Sequence, residues 1–126
     1  MEIRLEPHDE YPHEVPDDTT YNESVYTNVV DPGSAVGAFF RVGNRPNERY
    51  AEVTTCLYLP DGRVAFMFQR PEIHDNRAFD AGGLRIEVTD PFRSVQVEWS
   101  GKVVVLDDPL QMADPKRAFT ENPWVT

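Results

Sequence analysis

The sequence predicts an all-β protein: an antiparallel barrel, half-barrel or sandwich of about seven strands with little helix. Several segments alternate apolar and polar residues with the two-residue period of a β-strand. Short stretches rich in Asp, Pro and Gly separate these segments, as turns between successive antiparallel strands do. Helical character is confined to one turn near residues 115–119.

The first two predicted strands, 21–30 and 36–42, flank a turn at Asp31-Pro32-Gly33. The second strand is apolar and aromatic and contains Gly37, which is typical of a bulge or a barrel corner. Residues 43–49 are predicted to form the loop that leads to the next strand.

The third predicted strand, 50–59, alternates most regularly, and the turn Pro60-Asp61-Gly62 connects it as a hairpin to strand 63–70. Residues 71–83 form a long predicted loop. The remaining predicted strands are 84–89, 94–99 and 102–106.

The acidic charge is concentrated at the N-terminus. The chain has 12 basic and 22 acidic side chains, a net charge of −10, and residues 1–20 hold seven of the acids and one of the bases. With Pro7, Pro12 and Pro16 among them, these twenty residues are predicted to form a weakly ordered acidic arm, and residues 21–126 a single β domain. A nucleic-acid partner is disfavoured, because binding phosphates requires a basic surface.

Other classes of function are also disfavoured. No apolar run approaches the length of a membrane span, and no secretory signal is visible, so a cytoplasmic protein is expected. Cys56 is the only cysteine, which excludes an internal disulfide, and its position in an apolar strand indicates a small buried side chain. No phosphate loop, zinc spacing or nucleophile motif is present, and neither a metal nor a cofactor is predicted.

Glu23 is the first candidate catalytic residue. It lies in a predicted strand whose two faces both mix polar and aromatic residues. If its side chain points into an apolar cavity, desolvation would raise its pKa and suit it to act as a general acid. His74 and Asp75, in the long loop, are a second candidate proton-transfer pair, although a loop histidine more often faces solvent.

A polar block at residues 41–48 lies between two strands rich in aromatic residues. Its asparagines support either a hydrogen-bonded hairpin loop or a polar cluster at the mouth of a cavity. Glu23 and Arg41 are the preferred inward-facing polar groups. The candidate ligand-binding residues are Asn22, Tyr26, Phe39, Arg41, Asn44, Phe66, Phe68 and Trp99.

Residues 22–123 resemble an uncharacterised bacterial family of tandem lipocalin-like proteins and are distantly similar to the carotenoid hydratases. The resemblance rests on five segments: Asn22-Glu-Ser-Val-Tyr26, Arg41-Val-Gly-Asn-Arg-Pro-Asn-Glu48, Cys56-Leu-Tyr-Leu-Pro-Asp-Gly-Arg-Val-Ala-Phe66, Phe79-Asp-Ala-Gly-Gly-Leu84 and Met112-Ala-Asp-Pro115. It implies a lipocalin-like barrel or half-barrel and a lipid-like ligand.

The resemblance also implies that the chain is the first lobe of a two-lobed protein. A lone lobe would expose apolar surface, so self-association, such as a dimer, or pairing with a separately encoded second lobe is expected. Three functions remain open: binding of a steroid, isoprenoid or fatty-acyl molecule in a β-lined cavity, a cofactor-free hydratase or isomerase acting on a lipid-like alkene, and a structural lobe that needs a second half.

Overall fold

The structure is a computed structural model that describes Glu2 and residues 4–126. In this part of the chain it contains nine strands, one α-helix and three short 3-10 helices. The strands are β1 Glu23–Asp31, β2 Val36–Arg45, β3 Tyr50–Tyr58, β4 Val64–Gln69, β5 Phe79–Ala81, β6 Leu84–Asp90, β7 Ser94–Trp99, β8 Val103–Leu106 and β9 Trp124–Val125. The helix α1 is Pro115–Glu121, and the 3-10 helices are Pro7–Glu10, Pro46–Glu48 and Pro109–Ala113.

The strands form two antiparallel sheets. The large sheet has the order β1-β2-β3-β4-β8-β9, and the small sheet has the order β5-β6-β7. The all-β prediction is therefore confirmed. Because β1 and β9 lie at opposite ends of the large sheet and do not pair, the architecture is an open sandwich rather than a closed barrel.

The register of the large sheet sorts its side chains onto two faces. Val25 of β1 pairs with Val42 of β2, which pairs with Val53 of β3, so the three valines share the face turned towards the small sheet. The small sheet contributes Leu84 and Ile86 to the same core. Burial of these side chains between the sheets supplies the main apolar contribution to folding.

The opposite face of the large sheet is partly covered by the C-terminal helix. Ala118 of α1 is buried against a cluster that includes Cys56 and Leu106, and Phe119 stacks on Phe66 with ring centroids 5.1 Å apart. Asp114 begins the helix because its carboxylate accepts a hydrogen bond from the Arg117 amide. The helix covers the β4–β8 half of this face, whereas Tyr26 of β1 remains 57% exposed.

A tight hairpin at Gly82 and Gly83 connects β5 to β6. Both glycines have positive φ angles, +59° and +89°, which a two-residue hairpin requires. At Gly83 a side chain would also collide with the carbonyl oxygen of Ser100. Only glycine is compatible with that position.

The predicted element boundaries need two corrections. The predicted loop 43–49 is wrong at its start, because β2 continues to Arg45 and pairs Asn44 with Ala51 of β3. The predicted loop 71–83 contains the short strand β5, whose Phe79 and Ala81 face the core. Among the described residues, no helix is long and apolar enough to cross a membrane.

Candidate functional site

A cleft of about 730 Å³ opens between the two sheets on the side of β1 and β7. It forms where the sheets diverge, because β1 is the last strand of the large sheet and β7 is the last strand of the small one. Its volume lies within the range of sites for small organic molecules. The lining residues are Tyr26, Thr27, Asn28, Val29, Phe40, Val95 and Val97.

The cleft is largely apolar, with one distinctive polar group. The hydroxyl of Thr27 is buried and has no hydrogen-bond partner among the described residues. The hydroxyl of Thr55, two strands away on the same face, is buried and unpaired in the same way. Buried hydroxyls are usually paired, so each of these groups lowers stability until a partner is supplied.

A second polar arrangement surrounds Glu23 at the start of β1. The carboxylate accepts hydrogen bonds from the His13 amide at 2.9 Å, the Asn76 amide group at 2.7 Å and the Tyr21 hydroxyl at 3.1 Å. The His13 ring nitrogen Nδ1 lies 2.5 Å from Glu23 Oε1. Glu23 therefore joins the N-terminal arm, β1 and the 71–78 loop.

These contacts shift the pKa values of the three titratable groups. Burial acts to raise the pKa of Glu23, but the hydrogen bonds from His13, Asn76 and Tyr21 outweigh it and hold the pKa below its ordinary value. The hydrogen bond and the charge of Glu23 raise the pKa of His13. Burial, followed by the bond to Glu23, raises the pKa of Tyr21. Glu23 is therefore an ionised acceptor near neutral pH.

Two buried asparagines connect Glu23 to the interior. Asn44 of β2 donates to the Asn76 side-chain oxygen at 3.0 Å and to the Ala78 carbonyl at 2.9 Å. Asn76 in turn donates to Glu23 and to the His13 carbonyl. Asn76 is not among the residues predicted from the sequence, where its only signal is an uncharged polar side chain among charged neighbours in a long loop.

The N-terminal arm makes further contacts with the β domain. Asn47 donates to the carbonyls of Pro16 and Asp18 at 2.8 and 2.7 Å. The amide of Phe92, in the β6–β7 turn, donates to the Glu10 carboxylate at 3.0 Å. The arm thus follows the surface of the domain from one end of the sandwich to the other.

Glu23 and Arg41 do not meet. Glu23 is paired with Asn44 and Arg41 with Tyr26, so the two charged side chains lie on opposite faces of the large sheet. The Arg41 guanidinium lies over Gly43 on the face away from the cleft. Tyr26 is the single predicted ligand-binding residue that borders the cleft, and its ring lies on the opposite face of the sheet, against Phe39.

The other predicted ligand-binding residues are distributed over the molecule. Phe39, Phe66 and Phe68 lie on the face of the large sheet that α1 partly covers, and Phe39 stacks on Tyr26 there at 5.9 Å. Trp99 packs over Gly101 at the end of β7. Asn22 is exposed just before β1, and Asn44 is buried in the hydrogen-bond network.

His74 and Asp75 lie outside the cleft. His74 Nε2 is 3.8 Å from Glu72 Oε1, and its side chain is 73% exposed. Asp75 accepts a hydrogen bond from the Arg77 amide within the same loop. Across the described part of the chain, no three His, Cys, Asp or Glu side chains form a group that could hold a metal ion.

A family described as a domain of unknown function, DUF7064, matches residues 6–122. The chain belongs to this family. No curated protein and no solved structure matches it. The match to DUF7064 includes both sheets except β9, and it also includes the arm residues that contact Glu23. The resemblance to lipocalin-like proteins and to carotenoid hydratases stays a prediction.

Proposed function

We propose that this DUF7064 domain binds a hydrophobic small molecule of the steroid, isoprenoid or fatty-acyl type in the cleft between its sheets. The supporting observation is an open apolar cleft of about 730 Å³ with the unpaired Thr27 hydroxyl at its wall. Val29 and Val95 are about half exposed in the cleft, and a ligand would remove their surface from water. The Thr27 hydroxyl is shielded from solvent, and rotation about its Cα–Cβ bond would bring it to the cleft surface, where a ligand oxygen would supply the partner that it lacks.

The proposal is tested by titrating the protein with retinol, an apolar alcohol whose fluorescence reports binding. Thr27→Val keeps the shape of the side chain and removes the hydroxyl. A net hydrogen bond of about 1–1.5 kcal/mol predicts roughly tenfold weaker binding. Thr54→Val is the matched control, because Thr54 lies on the opposite face of the sheet. No saturable binding by the wild type, or equal affinities for the two variants, would contradict the proposal.

A hydratase or isomerase that uses Glu23 is the alternative function. The hydrogen bonds that Glu23 accepts favour its ionised form, which suits a base or a positioning carboxylate better than an alkene-protonating acid. Glu23 also lies at the far end of β1 from Val29 and is not one of the residues that line the cleft. The geometry favours binding over catalysis.

A second candidate function, self-association through β1, has its own structural support. β1 is an edge strand that pairs with β2 over nine residues without a bulge. Residues 24–30 contain neither charge nor proline, and Val30 is 75% exposed. Edges of this kind are normally protected, because their free backbone groups pair readily with another strand.

We infer that the partner of β1 is the same strand of a second copy of the chain. An antiparallel pair of identical strands satisfies a two-fold axis, and the uncharged segment introduces no like-charge pair along its length. The other edge, β9, has only two residues and follows Pro123. Of the two edge strands of the large sheet, β1 is therefore the longer and the better suited to pair with a second copy of the chain.

Light scattering over a concentration series tests this association. Val30→Lys is expected to abolish the dimer, whereas Leu110→Lys, at an exposed apolar residue far from β1 in the chain, is expected to keep it. Added salt should strengthen the dimer, because two copies of charge −10 repel each other. A wild-type protein that remains monomeric at high concentration would contradict the inference.

A further inference from the structure

A second space of about 160 Å³ lies between the sheets, beside the cleft and next to the N-terminal arm. One wall is formed by Val25, Phe79, Ile86 and Val88 of the two sheets. The other wall is formed by arm residues 10–12. The arm therefore covers a part of the inter-sheet space that would otherwise open to solvent as a second mouth, separate from the cleft.

The two spaces adjoin through shared strands. Val25, which lines the smaller space, and Thr27, which lines the cleft, are successive inward residues of β1. In the small sheet, Ile86 pairs with Val97, and each of the two lines a different space. A molecule in the cleft would therefore lie close to the arm.

The arm is fastened on both sides of this space by polar contacts. On one side the His13 amide and ring bind Glu23, and Asn76 donates to the His13 carbonyl. On the other side Glu10 accepts from the Phe92 amide. Tyr11, between them, is 41% exposed. A segment held mainly by surface hydrogen bonds opens at a much lower free energy than the core.

We propose that residues 9–13 form a strap that closes the second mouth of the inter-sheet space and retains the ligand. This inference rests on the proposed binding function and adds the control of ligand release. The His13–Glu23 contact is the latch, because Glu23 is fixed in β1 and bonds both the backbone and the ring of His13. Opening the latch frees the strap from β1 and exposes Val25 and Ile86.

The charged and titratable groups around the latch are few. Asp9, within the strap, lies 3.9 Å from His13 Nε2, and His8 lies 3.4 Å from Asp9. From β1 the facing group is Glu23, and from the segment before it Tyr21, which bonds Glu23. Asn76 of the loop bonds Glu23 and does not titrate, and the charged residues Arg77 of the loop and Arg85 and Glu87 of β6 line the space beneath the strap. Both carboxylates favour the protonated histidine.

The test combines two measurements on the full chain. Hydrogen exchange follows the His13 amide and the rest of the strap, and stopped-flow mixing follows the dissociation of retinol. His13→Ala removes the ring contact, and His8→Ala, an exposed histidine in the same arm, is the control. We expect His13→Ala to lose strap protection and to release retinol at least fivefold faster, with His8→Ala unchanged. Circular dichroism verifies that both variants fold. If His13→Ala does not fold, His13→Gln, which keeps a polar side chain, takes its place.

The outcomes separate the strap from the binding function. If the wild type does not bind retinol, the proposed function fails and the retention role falls with it. If the wild type binds and His13→Ala loses strap protection without faster release, the strap has no role in retention. Retained protection of the strap in His13→Ala would overturn the assignment of the latch.

Discussion

His13 and Glu23 are joined twice, by the His13 amide and by its ring nitrogen Nδ1, which lies 2.5 Å from Glu23 Oε1. Ten residues separate them in sequence, and the contact brings the acidic arm onto the first strand of the domain. One carboxylate thereby fixes the end of β1, the loop residue Asn76 and the arm. The arm covers apolar surface that the sandwich leaves between its sheets.

The latch predicts a pH window for arm docking. Because the pKa of His13 is raised in the folded protein, its contribution is complete below the ordinary value of 6.5 and is lost as the pH rises through the folded value. The pKa of Glu23 is lowered, so its contribution is complete above the ordinary value of 4.5 and is lost on acidification. Strap protection should therefore be greatest between pH 4.5 and 6.5 and should fall as the pH rises through the raised pKa of His13.

Histidine NMR titration together with hydrogen exchange measures this window. In Glu23→Gln the His13 pKa should return towards its ordinary value, and strap protection should lose most of its pH dependence. Glu14→Gln, an exposed acid next to His13 in sequence, is the control and should behave as the wild type. A His13 pKa that does not change in Glu23→Gln would contradict the latch.

Asn44→Ala should lower the free energy of unfolding by about 1–3 kcal/mol, because the variant leaves the Ala78 carbonyl and the buried Asn76 side chain without their donor. Urea denaturation measures the change. Asn28→Ala, at an exposed position on β1, is the control and should stay within about 0.5 kcal/mol of the wild type. Equal stability of the two variants would show that the buried network contributes little.

Gly83→Ala should destabilise the protein by more than about 1 kcal/mol, because φ is +89° and the new methyl group would collide with the Ser100 carbonyl. Gly62→Ala is the informative control. Its φ is also positive, +88°, but its surroundings leave open space for a methyl group. Thermal unfolding of the two variants separates backbone strain from collision, and a similar loss in both would assign the cost to strain alone.

Much of the fold could be predicted from the sequence because its signals are local. The alternation in β3 and the turn after Tyr58 identify a hairpin without knowledge of the rest of the chain. The pairing of β1 with β2 across the turn at Asp31 is equally local. The division into two sheets is not a local property, because it depends on which apolar faces pack together between residues that are far apart in sequence.

The sites were harder to predict for the same reason. Glu23 could be singled out by its strand, but its partners His13 and Asn76 are 10 and 53 residues away. Thr27 carries no sequence signal at all, because an unpaired hydroxyl is visible only once its neighbours are in place. The sequence predicts that Glu23 and Arg41 both face inward, whereas the register of β1 and β2 puts them on opposite faces.

The most direct test of the binding function is to map retinol onto the protein by amide chemical-shift changes. Binding in the cleft predicts saturable shifts at Thr27, Val29, Val95 and Val97, with small changes at Phe66 and Phe119 on the helix-covered face. The same titration of Thr27→Val should need roughly tenfold more retinol to reach the same shifts. Shifts centred on the helix-covered face, or no saturable shifts, would contradict the assignment of the cleft.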